Sequence, residues 1–188
     1  IKVYANGWYS GERSPENFAK KAKFLSSKGY QALKFDPFGS EHLRLNKESE
    51  NFIKKIIRSV RDSVGSDVEL MIEGHKRFNV FEAIKIAKWL DEFDVTWFED
   101  PIDNNDIDSL IYVSQNSPVR IIAGEGFDKY KDFTRFASSN ATDIVNPEVI
   151  KIGGIGGAIK VANICSSFDV DLAFHNAESP LKLSLIHI

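Results

Sequence analysis

The sequence predicts an α/β fold, an incomplete (β/α)8 barrel of parallel strands with about seven strand–helix units present. Three observations lead there. First, three short apolar runs each end in a glutamate: Glu73, Glu99 and Glu125. Second, those glutamates are spaced 26 residues apart in both intervals, about one strand, one helix and two loops. Third, polar residues recur at the ends of nearly every predicted strand. Barrels collect ligand and catalytic groups at the C-terminal ends of all their strands, whereas an open doubly wound sheet concentrates them at one switch point.

The elements follow in order. Residues 1–4 read as a short strand, closed by the turn Asn6-Gly7. Ser14-Pro15-Glu16 is a helix start, with a serine N-cap and proline at the first helical position. Phe18, Ala22 and Leu25 recur at helical spacing until Gly29. The second strand is 31–35, broken by Asp36-Pro37. After a charged loop containing His42, Phe52, Ile56, Val60 and Val64 mark one face of a long helix that Gly65 ends. Strand three is 68–73, and its helix carries Phe81, Ile84, Ala87 and Leu90. Trp89 and Phe93 read as packing residues. Strand four is 95–98, followed by a short helix through Ile107, Leu110 and Val113. Strand five, 119–123, follows Ser117-Pro118, and a helix covers 130–136. Strand six, 143–146, stops at Pro147. Gly153 to Gly157 turn the chain into a helix with Ala162 and Cys165, strand seven is 171–174, and the tail 181–188 reads as a further helix start. Strands alternating with helices at this spacing argue for βαβ units.

Composition excludes several classes. The hydrophobic content of 43% suffices for a core, and one domain, 1–188, is the default for this length. A formal net charge of −3 gives no electrostatic reason to expect a nucleic acid or a membrane surface as partner. One cysteine, Cys165, rules out an internal disulfide and suits a reducing, cytoplasmic compartment. The glycine cluster is not a dinucleotide fingerprint, because the last required glycine is Ile159. A barrel needs an eighth strand, and the chain opens on Ile rather than Met. Both features read as a piece of something longer.

Chemistry gathers at the strand ends. Residues two apart share a face of a strand, so Glu73 and His75 point the same way if the strand continues that far. Three carboxylates at matched ends are costly unless a cation sits among them. An all-oxygen set favours a hard cation such as Mg2+. Glu148 follows strand six and His175 ends strand seven. Neighbouring strands would let Glu148 hold one nitrogen of His175 and leave the other as a general base. Lys34 and Asp36 share a face at the end of strand two. His42 and His187 have no such geometric support.

These stretches resemble the catalytic barrel of the enolase superfamily, in the subgroup of mandelate racemase and the acid-sugar dehydratases. The matching motifs are Ala32-Leu-Lys-Phe-Asp-Pro-Phe38, Ile72-Glu-Gly-His-Lys-Arg77, Trp97-Phe-Glu-Asp-Pro101, Ala123-Gly-Glu125, Asn146-Pro-Glu-Val149 with Gly153-Gly154, and Ala173-Phe-His-Asn176. The resemblance implies Glu73, Glu99 and Glu125 as Mg2+ ligands, and His175 with Glu148 as the catalytic dyad. It implies His75 as the acid of a gluconate-type or galactonate-type dehydratase, with Lys34 and Asp36 at the substrate. A missing N-terminal capping domain and, at full length, a homo-oligomer are implied as well.

The implied reaction removes water from an aldonic acid sugar to give a 2-keto-3-deoxy acid. Two departures from the family pattern stand out, Glu73 and Glu148 in place of the usual aspartates. Asp36 stands where racemases carry a second lysine base, which weakens the racemase reading. A racemase, epimerase or cycloisomerase of the same superfamily is one alternative. A non-catalytic relative that binds a metal or a sugar acid is the other.

Overall fold

A computed structural model of the chain describes residues 3–176. Six strands and six α-helices alternate among them: α1 (Pro15–Ser27), β1 (Ala32–Phe35), α2 (Lys47–Val64), β2 (Glu69–Glu73), α3 (Val80–Leu90), β3 (Val95–Glu99), α4 (Ile107–Gln115), β4 (Arg120–Ala123), α5 (Tyr130–Ser138), β5 (Ile144–Val145), α6 (Gly154–Ser167) and β6 (Asp171–Leu172). The strands are parallel and lie in the order β1-β2-β3-β4-β5-β6. Consecutive order without reversal is the order of barrel staves and contains no switch point of a doubly wound sheet.

The helices begin where side chains can satisfy their first N–H groups. Ser14, Asn46, Asn79 and Asp106 each accept a bond from the backbone three residues on. The α2 helix starts five residues ahead of its first expected apolar position. Asn46 caps it there, and Glu48 and Glu50 complement the helix N-terminus.

Two strand readings change. Of the expected strand 1–4, residues 1 and 2 lie outside the described residues, and Val3 and Tyr4 are in no strand. Instead Ala5 runs parallel to β1 as a single bridge to Leu33, donating to Ala32 O at 2.9 Å and accepting from Lys34 N at 2.8 Å. The last two strands are shorter than expected, although Ala173 and His175 continue to donate to Val145 O and Pro147 O. Pro147 has no N–H to return, so the ladder there is irregular. The expected tail helix and His187 lie outside the described residues.

Alternation sorts the sheet into two faces. Leu33, Phe35, Leu70, Ile72, Phe98 and Ile121 point outward into the main core beneath the helices. Ala32, Met71, Trp97, Ile122 and Ile144 form a layer on the inner face, against which Tyr4 packs. Lys34, Glu73 and Glu99 follow the same parity one step further along their strands. The apolar layer is therefore a floor, and the charged residues stand on it. Trp89 and Phe93 pack edge to face at 6.4 Å. No described helix is long and apolar enough to cross a membrane.

Within α6, Gly157 and Gly156 make opposite demands. A Cβ on Gly157 would lie 1.8 Å from Ile152 O, whereas one on the exposed Gly156 meets nothing within 4 Å. Gly157→Ala is expected to destabilise the protein by roughly 2 kcal/mol or more, through backbone displacement. Gly156→Ala is expected to stabilise it by about 0.5 kcal/mol through helix propensity. Urea unfolding of the two variants checks the contrast, since equal effects would contradict the packing of α6.

Candidate active site

The site is built where β2, β3 and β4 end. Glu73 and Glu99 are register partners on adjacent strands, so their side chains rise side by side. Between them lies Lys34, 1% exposed, with Nζ 3.0 Å from Glu73 Oε2 and 2.6 Å from Glu99 Oε1. Its ammonium also sits 5.4 Å over the ring of Tyr4. Burial pulls the Lys34 pKa down, but Glu99 and the neighbouring groups outweigh it and raise it. Asn146, next after β5, donates from Nδ2 to Glu99 Oε1 at 3.0 Å. The other oxygen, Glu99 Oε2, is buried with no hydrogen-bond partner.

After Glu73 the strand stops. Gly74 N donates to Glu99 O at 2.7 Å, and a Cβ at Gly74 would lie 2.8 Å from Asp100 O. Only glycine allows that approach. His75 and Lys76 then both take left-handed backbone, at φ 52° and 60°, an uncommon conformation for such residues. The strand alternation that would point His75 along with Glu73 ends here. His75 goes to Asp36, its Nδ1 2.9 Å from Asp36 Oδ2. Asp36 is also paired with the Arg77 guanidinium. Its hydrogen bond to Asp36 raises the His75 pKa.

Lys76 turns the other way. Its Nζ lies 3.1 Å from Asp100 Oδ2 and 3.1 Å from Glu125 Oε1. Burial pushes the Asp100 carboxyl up to about 7, against the pull of Lys76. Burial would raise Glu125 as well, but Lys76 and His175 outweigh it and hold it below its usual value. His175 Nε2 is 3.0 Å from Glu125 Oε2, and its Nδ1 is 3.0 Å from Glu148 Oε2.

Of the residues singled out in the sequence, Glu99, Glu125 and His175 form a group with metal-ligand spacing. One ligand-type atom from each lies within 4.8 Å of the others, a group that could hold a metal ion. Glu73 is not in that group. Its oxygens are taken by Lys34 and by the backbone N–H of His75. Glu99 supplies the observation that fits a cation: a buried carboxylate with one oxygen unpartnered, its pKa raised by burial and then by Glu73. Four carboxylates (Glu73, Glu99, Glu125 and Asp100) face two lysines (Lys34 and Lys76). That leaves negative charge for a proton or a metal to offset. Lys34 and Asp36, expected at the substrate, are both engaged inside the protein. Lys76, Asp100 and Asn146 were not singled out from sequence, although each adjoins or lies within a recognised motif.

The family is decided by comparison with known proteins. Residues 17–187 match the model of the enolase C-terminal domain-like family. The chain belongs to this family. It is 37% identical to the D-gluconate dehydratase of Thermoproteus tenax, over 98% of this chain and 37% of that protein. It is also 37% identical to the D-gluconate/D-galactonate dehydratase of Picrophilus torridus, over 97% of this chain and 46% of that protein. The chain thus spans less than half the length of either relative. The crystal structure of the 3,6-anhydro-D-galactonate cycloisomerase from Zobellia galactanivorans superimposes with a TM-score of 0.85. It shares 28% identity, covering 98% of this chain and 49% of that one. Within this enolase-type domain the sheet that carries Glu73, Glu99 and Glu125 is the family's barrel wall.

Removing Lys34 alone strands two buried carboxylates. Lys34→Met is expected to destabilise the fold by about 3–5 kcal/mol, the usual effect of breaking a buried ion pair on one side. Adding Glu73→Gln and Glu99→Gln to that variant should recover most of the loss. Thermal unfolding of the single and triple variants checks this, and a harmless single variant would contradict the pairing.

Proposed function

We propose that the full-length protein is a Mg2+-dependent acid-sugar dehydratase, acting on an aldonate of the gluconate or galactonate type. The observation that carries this reading is the His175 arrangement. Its Nδ1 is held by Glu148 at 3.0 Å, and its Nε2 is turned to Glu125 in the group that includes Glu99. The 37% identity to two named sugar-acid dehydratases supports the same reading. Residues 1–188 would form one catalytic barrel domain, and the single buried Cys165 fits a cytoplasmic setting.

Glu99, through its unpartnered Oε2, and Glu125 would hold the Mg2+, joined by Glu73 through an oxygen that now accepts from Lys34 or the His75 N–H. A base of the Lys or His type, with Mg2+ stabilising an enediolate, is the established pattern of enolase-superfamily sites. When bound, the ion supplies Lewis-acid stabilisation of the charge that builds on the substrate carboxylate.

His175 takes the C2 proton onto Nε2, while Glu148 keeps the ring oriented through Nδ1. His75 gives a proton to the 3-hydroxyl, which leaves as water. The C2–C3 enol then ketonises to the 2-keto-3-deoxy acid. Lys34, sealed beneath the carboxylates, acts by holding Glu73 and Glu99 in place rather than by touching the sugar. The likeness to a cycloisomerase favours one alternative, a proton-transfer isomerase on the same framework.

The full-length protein with Mg2+ and a panel of aldonates and aldarates tests the proposal. Formation of a 2-keto-3-deoxy product from one or two of them is expected. Deuterium entering C2 from heavy water without loss of water would move the reading to the isomerase. Neither signal, with the metal bound, would leave a binding protein. His75→Asn is expected to slow water loss by roughly 10^2-fold or more, with metal binding and C2 exchange preserved. Equal loss of all three would remove His75 from the acid role.

A further inference from the structure

We infer that Asp36 is a positioning residue for His75, fixing the ring by its Nδ1 and leaving Nε2 as the nitrogen that meets the leaving hydroxyl. The inference rests on the reading of His75 as the acid in sugar-acid dehydration.

Three observations carry it. First, the Asp36 carboxylate is fully committed before any ligand arrives. It is 12% exposed, its Oδ1 accepts from Phe38 N at 2.8 Å, and its Oδ2 takes both Arg77 and His75 Nδ1. Second, Arg77 is itself anchored. Its Nε donates to Gly74 O at 3.0 Å, its Nη1 reaches Gly39 O, and its guanidinium lies 5.8 Å over the ring of Phe38. The carboxylate is therefore clamped on both sides, which suits an orienting group and does not suit one that must adapt to a sugar.

Third, His75 needs such a tie. It follows the end of β2 in left-handed backbone, and its side chain is 53% exposed. Neither strand nor helix packing sets its rotamer. A bond to one imidazole nitrogen selects the tautomer and direction of the other. The far edge of the sheet repeats the construction, with His175 held through Nδ1 by Glu148. The two histidines are thus built alike, one beside β1 and β2 and one after β6.

A direct contact between Asp36 and the substrate is the competing role. Carboxylate beside carboxylate would weaken binding of a sugar acid, and both Asp36 oxygens are already in use.

The test uses the full-length protein and the sugar acid that it dehydrates fastest. In Asp36→Asn, kcat for water loss should fall roughly 100-fold, the scale of a small misplacement of a catalytic group. KM and the rate of C2 deuterium exchange should change less than about threefold, because exchange depends on His175. In a His75→Asn background, Asp36→Asn should have no further effect. A rise in KM at constant kcat, an equal loss of exchange and water loss, or additive effects would each overturn the inference. Ring-nitrogen NMR on 15N-histidine protein supplies a readout without turnover. With the ring neutral, and the resonance assigned by His75→Asn, His75 should carry its proton on Nδ1. A proton on Nε2 in the unaltered protein would overturn the inference even if no sugar acid is ever dehydrated. If Nδ1 carries the proton but no sugar is dehydrated, the positioning stands and the dehydratase reading fails.

Discussion

Lys34 stands between Glu73 and Glu99 on the inner face of the sheet, and most of the site depends on that contact. Parallel pairing brings the two glutamates side by side, and burial raises the cost of charging both. With Lys34 in place, one positive charge is shared by two carboxylates, and Asn146 adds a donor to Glu99. The apolar layer beneath, with Met71, Trp97 and Ile122, keeps water from doing the same work. What Lys34 does not offset is left at Glu99 Oε2, beside the Glu125 and His175 atoms with which Glu99 could hold a metal ion.

The second constraint is steric. β2 reaches the rim next to β3, and its chain must leave without losing contact with Glu99 and Asp100. Gly74 allows the close pass, and two left-handed residues follow it. Backbone conformations of this type are tolerated when surrounding bonds over-determine them. Here Lys76 N to Asp100 O at 2.6 Å and Phe78 N to Pro101 O at 3.1 Å do so.

Much of this was legible in the sequence. The period from Glu73 to Glu99 to Glu125, the Ser14-Pro15 start and the apolar spacing in α2 and α3 all come from local rules. Those rules also extend to which residues stand at strand ends. They fail where the chain departs from regular geometry. His75 was expected on the face of Glu73, but alternation ends with the strand and the left-handed turn sends it to Asp36. Lys76 carries no signal of its own in the sequence, and its link to Glu125 spans 49 residues. Nothing in periodicity shows such a link. Lys34 was recognisable as a strand-end lysine, but not that its Nζ would be sealed beneath the carboxylates. Burial of that kind comes from the register of two neighbouring strands.

The turn after Gly74 also bears on how this protein could change over time. Its two adjacent residues serve opposite sides of the rim: His75 reaches back to the β1 side, and Lys76 reaches forward to Glu125 beyond β4. A single inserted or deleted residue would exchange or misdirect both arms at once. Loop length here is consequently not a variable that selection or an engineer can adjust freely. Point substitutions that keep the turn intact remain open, and diversification of ligand preference should be sought in segments that carry only one of the two duties.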